Sequence, residues 1–251
     1  MILAVDIGNT NIVMGLLEGT VVRHVFRMQT LRDESVFDAK NRVDTWLSGH
    51  SLGPTSGAVV ASVVPGLAAV YREAIGELTS THPRVVGPTT PTGVLISLDS
   101  PEDVGVDRYV NLAALAGLGL GGIVVVDLGT ATTFDVLSPQ DTFLGGAIAP
   151  GLGCTANALA AAAPSLPRAP LTAPPTAVGR NTVDALRSGL LLGYVEMVDG
   201  LLRRITAEVP FPVTVYATGG LASTVAPHCT RVDFIDPELT LKGLARIYAR
   251  G

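Results

Sequence analysis

The sequence predicts an α/β protein built from two similar halves, on three observations. A strand-to-turn motif occurs twice. Apolar Ile2-Leu3-Ala4-Val5 runs into Asp6-Ile7-Gly8-Asn9-Thr10-Asn11, and apolar Ile123-Val124-Val125-Val126 runs into Asp127-Leu128-Gly129-Thr130-Ala131-Thr132-Thr133. Strand-like runs then alternate with helical periodicity along both halves. Finally, 47% of the 251 residues are apolar and only 16% charged, which supplies core for two domains and argues against disorder. The motif spacing divides the chain into domains at 1–115 and 116–251.

The elements follow in order. Residues 2–6, 12–17 and 20–27 read as a β-meander with a turn at Glu18-Gly19. A helix over 35–46 follows, with Val36, Phe37, Val43 and Leu47 spaced for one face. Residues 58–63 form a buried strand ending at Pro65-Gly66, 67–78 a helix, and Arg84-Val85-Val86 a strand. Ser100-Pro101-Glu102-Asp103 has the chemistry of a helix start, and that helix is expected to run through Asp107, Arg108 and Asn111 to Leu115.

The second half repeats the pattern with strands at 123–127, 132–137 and 142–148 and an alanine-rich helix over 151–163. The proline-rich stretch 164–175 reads as an ordered surface loop or lid. Asn181 or Thr182 caps a long helix to 207, residues 213–217 form a strand, and 241–249 a closing helix.

Several function classes are disfavoured. Net charge is −5 and the 17 Lys and Arg residues do not cluster, against a nucleic-acid or membrane-surface role. The apolar stretch 112–126 falls short of the roughly 20 residues of a membrane span, is rich in glycine and ends on Asp127. No signal peptide is read at the N-terminus. Cys154 and Cys229 form no disulfide framework, in keeping with a reducing cytoplasm, and Cys154 reads as packed. His24, His50, His82 and His228 show no ligand spacing.

Both turns suit phosphate: glycine admits close backbone approach, and main-chain N–H groups and hydroxyls face the oxygens. Gly8, Asn9, Thr10 and Asn11 supply donors in the first copy. A carboxylate there repels the anion unless a cation lies between, so Asp6 implies Mg²⁺, directly or through water. In the second copy Thr130 lies inside the turn, whereas Thr132 and Thr133 also suit an ordinary strand.

Asp107 is the expected general base. It sits in Gly105-Val106-Asp107-Arg108 among apolar Val104, Val106, Tyr109 and Val110, with Asn111 one turn on. An aspartate taking a proton from an alcohol, beside an arginine able to hold an anion, suits phosphoryl transfer to a hydroxyl. Gly145-Gly146-Ala147-Ile148-Ala149-Pro150-Gly151 reads as a glycine-rich bend before a helix, and Thr218-Gly219-Gly220 as a close-approach turn after a strand.

Together with Ala61-Ser62-Val63-Val64-Pro65 and Gly179-Arg180-Asn181-Thr182, these motifs resemble type III pantothenate kinases, of the acetate and sugar kinase/Hsp70/actin superfamily, over essentially the whole chain. The resemblance implies two ribonuclease-H-like domains with mixed sheets and with ATP between them. It assigns Asp6, Ile7, Gly8, Asn9, Thr10, Asn11, Ile12, Val13 and Thr130 to ATP. It assigns Gly105, Val106, Asp107 and Arg108 to pantothenate, and makes Asp127 the ligand of a monovalent cation, K⁺ or NH₄⁺. Thr182 would contact pantothenate across a homodimer interface, and Gly189 and Gly193 on its helix permit close helix approach. One departure stands out: Leu98 occupies a position where many family members carry tyrosine, so it can pack on the substrate but not hydrogen-bond to it.

Three readings stand at this point. The first is ATP-dependent phosphorylation of pantothenate to 4′-phosphopantothenate, the first step of coenzyme A synthesis. The second is a regulatory protein of the Bvg accessory factor type that keeps the fold and loses catalysis. The third is a superfamily kinase for another small alcohol.

Overall fold

The structure is a computed structural model that describes residues 1–49 and 55–250; His50 lies outside them. In chain order the first part comprises β1 (Ile2–Ile7), β2 (Asn11–Glu18), β3 (Val21–Gln29), α1 (Val36–Ser48), β4 (Gly57–Ser62), α2 (Leu67–Thr79), β5 (Arg84–Val85), β6 (Leu95–Ile96) and α3 (Val106–Ala113). The second comprises β7 (Gly122–Leu128), β8 (Ala131–Leu137), β9 (Thr142–Pro150), α4 (Leu152–Ala162), α5 (Thr182–Arg187), α6 (Gly193–Glu208), β10 (Val213–Thr218), α7 (Ala222–Val225), β11 (Phe234–Ile235) and α8 (Leu239–Ala249). The expected α/β class, with mixed sheets flanked by helices, is what the chain forms.

The chain divides into two compact units, Met1–Leu118 with Glu238–Gly251, and Gly119–Pro237. The sequence reading placed the C-terminal segment in the second half, but its helix α8 packs with the first unit. There Gly15 leaves the space that the Leu241 side chain occupies, and Gly57 leaves space for Tyr248.

In the first unit the sheet order is β3-β2-β1-β4-β5, antiparallel across the meander and parallel from β1 onward. Alternate residues Leu3, Val5, Ile7, Ile12, Met14 and Leu16 point to one face, where they bury against Val43 and Trp46 of α1 and Tyr71 and Ile75 of α2. Helix α1 begins where expected, Ser35 accepting the Asp38 N–H at 3.2 Å. Phe37 is a correction: it is 70% exposed, and Ala39, Val43 and Trp46 form the buried stripe.

Within the second unit the strands run β9-β8-β7-β10-β11 with the same pattern of directions. The duplicated motif therefore marks a duplicated topology, with β7 in the place of β1. Val124, Val126, Leu128, Phe134 and Val136 bury against Tyr194, Val198 and Leu202 of α6. Residues 145–150 are strand, the end of β9, not a bend, and Gly151 is the cap of α4. Gly146 is held there because a Cβ would lie 1.6 Å from the Phe134 carbonyl oxygen. Gly145 takes φ +110° where the register shifts against Val136 and Leu137.

The loop after α4 is ordered by α5: the Arg187 guanidinium donates to the Thr172 and Ala173 carbonyls at 3.2 and 2.6 Å. Cys154 is exposed on α4, contrary to expectation. Among the described residues no helix is long and apolar enough to cross a membrane.

Candidate active site

The first turn is built by β1, β2 and the end of β3. Asp6 lies in register with Val13 on β2 and Ala61 on β4, one residue before the end of its strand. The Gly8 N–H donates to the Asn11 carbonyl at 3.0 Å and closes the turn. Buried Thr30 then braces it twice, its N–H donating to the Thr10 carbonyl at 3.0 Å and its hydroxyl to the Gly8 carbonyl at 2.7 Å. Asn9 and Thr10 remain exposed at the tip. The Arg32 guanidinium donates to the Asn9 amide oxygen at 3.1 Å and brings positive charge to the turn. Sequence reasoning missed Thr30 and Arg32; neither sits in a motif, and only the folded meander brings them to residues 8–10.

Asp107 comes to the same end of the first sheet. The expected helix from Ser100 is interrupted: Pro101–Asp103 form one 3₁₀ turn, Val104 and Gly105 are extended, and α3 restarts at Val106. Asp107 thus stands in the first turn of its own helix. Its Oδ1 accepts the Arg108 N–H at 2.9 Å and lies so close to Gly105 that a Cβ there would approach it to 2.5 Å. Gly105 neighbours Val63, whose N–H donates to the Ile7 carbonyl at 3.0 Å, so the Gly105–Asp107 segment and the Asp6 turn are joined through Val63.

Burial pushes the Asp107 carboxyl above its ordinary range, outweighing the lowering by the Arg108 N–H bond and the Arg108 charge. The Tyr109 hydroxyl ties α3 back to the Pro101 carbonyl at 2.9 Å. Asn111, one turn on from Asp107 in α3, is buried, its amide oxygen accepting from the Thr240 hydroxyl of α8 at 2.7 Å.

The second unit builds the matching turn. The Gly129 N–H donates to the Ala131 carbonyl at 3.1 Å, and the Gly151 N–H donates to the Thr130 carbonyl at 3.1 Å, as Thr30 does to Thr10. Only glycine fits at 151, since a Cβ would come within 2.4 Å of both the Gly129 and Thr130 carbonyl oxygens. Thr130 is exposed at the tip. Thr132 is fully buried against the Tyr194 hydroxyl, and the Thr133 hydroxyl donates to Asp135 at 3.0 Å, so both serve the fold.

Asp127 pairs in register with Thr218 on β10, where Gly219 at φ +94° makes room for the Asp127 carboxylate. A Cβ on Gly219 would lie 2.3 Å from Asp127 Oδ1. The Thr218 hydroxyl is buried and has no hydrogen-bond partner among the described residues, which for a neutral group costs about 1–3 kcal/mol. On α5 the cap is Asn181, accepting the Asp184 N–H at 2.9 Å, and Thr182 is the exposed first residue of the helix.

Asp6, the turn through Val13 and Gly105–Arg108 therefore belong to the first unit, and Asp127, Thr130 and Thr182 to the second. The chemical inventory is two phosphate-type turns, a partly buried carboxylate beside an arginine, and a carboxylate next to an unsatisfied hydroxyl.

Known proteins share this chain's sequence and fold. The profile of the family described as type III pantothenate kinase matches residues 2–204. A type III pantothenate kinase of Moorella thermoacetica is 41% identical over 252 residues, covering 100% of this chain and 99% of that one. That of Myxococcus xanthus is also 41% identical, covering 100% and 98%. Among solved structures, a conserved Baf family protein from Campylobacter jejuni is similar at TM-score 0.62 and 20% identity, covering 99% of this chain and 98% of its own. The activator of the 2-hydroxyisocaproyl-CoA dehydratase from Clostridium difficile, with bound ADPNP, is similar at TM-score 0.54 and 11% identity, covering 98% and 93%. At those identities the structural likenesses establish the fold, whereas the full-length relatives establish the family. The chain belongs to the type III pantothenate kinases.

Proposed function

We infer that this chain transfers the γ-phosphoryl group of ATP to the hydroxyl of pantothenate, yielding 4′-phosphopantothenate and ADP at the entry to coenzyme A synthesis. Family membership over the whole chain carries this reading. Asp107 takes the proton of the pantothenate hydroxyl as its oxygen bonds to the γ-phosphorus and the bond to the ADP oxygen breaks. General-base assistance of this kind is worth about 10²–10⁴ in rate, with positioning and charge neutralisation supplying the rest. Gly105, Val106 and Arg108 line the pantothenate site, and burial, which raises the basicity of Asp107, supports its role as the base.

Asp6, Ile7, Gly8, Asn9, Thr10, Asn11, Ile12 and Val13, with Thr130, hold the ATP phosphates through backbone N–H groups and hydroxyls. Asp6 would hold the Mg²⁺ that accompanies ATP, directly or through water, and that ion would supply charge neutralisation at the phosphates. Asp127 holds a monovalent cation, K⁺ or NH₄⁺; the unsatisfied oxygen of Thr218 beside it fits such an ion.

Thr182 completes the pantothenate site of a partner copy in a homodimer. Two observations support that assembly: Thr182 is exposed, and side chains added at Gly189 or Gly193 would enter open space, so the packing of this chain does not use them. We read the enzyme as cytoplasmic, acting without nucleic-acid or membrane partners; its two free cysteines support a reducing compartment.

The test is ADP release by purified protein with ATP, Mg²⁺ and K⁺. ADP should appear only when pantothenate is added. Folded protein that releases none, or releases it equally with other small alcohols, would overturn the assignment.

A further inference from the structure

We propose that Thr218 is a second side-chain ligand of the monovalent cation held at Asp127. The inference rests on the reading of Asp127 as a cation site and adds a residue to it. In parallel β7 and β10, Asp127 and Thr218 are register partners, and their side chains leave the sheet on the same side. Their neighbours Val126 and Ala217 point the other way, into the core against α6. The Thr218 hydroxyl is 0% exposed and lacks a hydrogen-bond partner among the described residues.

A hydroxyl alongside a carboxylate ordinarily donates to it, since the carboxylate can only accept. Here it does not. A cation seated between two oxygens accounts for both facts: it takes a lone pair from each, and it leaves the hydroxyl proton turned away. Gly219 keeps the ground beside Asp127 Oδ1 free of any side chain. One carboxylate and one neutral hydroxyl carry a single negative charge. That suits a singly charged ion whose hydration shell is replaced by oxygens better than Mg²⁺, which demands octahedral geometry and keeps its waters.

The test compares Thr218→Val, which keeps the shape and removes the oxygen, with Thr218→Ser, which keeps the oxygen, and with Asp127→Asn. Melting temperature is followed as KCl replaces choline chloride at constant ionic strength, with and without ADP. Wild type and Thr218→Ser should gain thermal stability with saturation. Thr218→Val should need roughly tenfold more K⁺ for half the gain, while melting in choline no lower than wild type. Should Val not fold at this site, Thr218→Ala makes the same comparison. If wild type responds, Asp127→Asn does not, and Thr218→Val tracks wild type, Thr218 is no ligand and the Asp127 site survives alone. If wild type itself shows no K⁺ response, both readings fall.

Discussion

Asp107 carries two opposite demands, and its behaviour under substitution separates them. Burial disfavours its charge, so the folded protein holds the carboxyl at a higher pKa than the unfolded chain does. The stability it lends is thus fully present below the unfolded value of about 3.9 and is lost as pH rises through the folded value. Where it is ionised, the buried group is a burden on the fold, a cost that the proposed role as base accounts for. Asp107→Asn should cut kcat by about 10² or more while melting at or above wild type at pH 7. In wild type, the acid limb of kcat/KM should lie above the ordinary carboxylate range. Retained turnover, or an acid limb unchanged in the variant, would remove Asp107 from the role of base. Apolar neighbours flanking an Asp-Arg pair made the partial burial of this residue legible in the sequence. The sequence could not reveal Thr30, whose two hydrogen bonds to the Asp6 turn reach back across 20 and 22 residues of chain.

Periodicity and capping chemistry located the elements well, and they misled where backbone conformation changes within one. Ser100-Pro101 has the composition of a helix start, yet the helix stops after one turn and restarts at Val106, with the Asp107 carboxylate lying against Gly105. The glycines of 145–151 looked like a bend; Gly146 and Gly151 are there for close contact with β8 and the Thr130 turn, a long-range cause that no local pattern shows. The helix from Thr182 is interrupted by a π-helical stretch, Ser188–Leu192, before α6 continues from Gly193. A π turn at this point widens the helix beside the two glycines that face open space. Gly193→Leu tests whether a second copy covers them. Leucine improves helix propensity, by somewhat under 1 kcal/mol, so the fold of the chain should hold. Light scattering on the eluting protein should show monomer in place of dimer, with KM for pantothenate raised more than KM for ATP. A variant that remains dimeric with unchanged KM places the interface elsewhere.

At the scale of the whole molecule, the repeated Asp-x-Gly turn announced two units of one topology, because a strand order built on β1 recurs on β7. What the repeat could not announce is that the last helix belongs with the first unit. The apolar spacing of Leu241, Leu244 and Ile247 fits the face of either sheet, and the choice is made by the first sheet and α3. There Gly15 admits Leu241, and Gly243 brings the α8 backbone against the Val110 carbonyl. Leu244 is fully buried, so Leu244→Ala should cost about 2–5 kcal/mol, the usual range for an emptied leucine site that relaxes incompletely. The position of that loss is the sharper measurement. Hydrogen exchange should quicken first at the amides of β1 and β4, which α8 contacts, while those of β7 and β10 keep their protection at low denaturant. Equal loss in both sheets would mean that α8 stabilises the two units alike. A selective loss would show that residues 238–250 are the far end of the unit that begins at Met1, and that the Asp6 turn and Asp107 rest on a support encoded more than a hundred residues away.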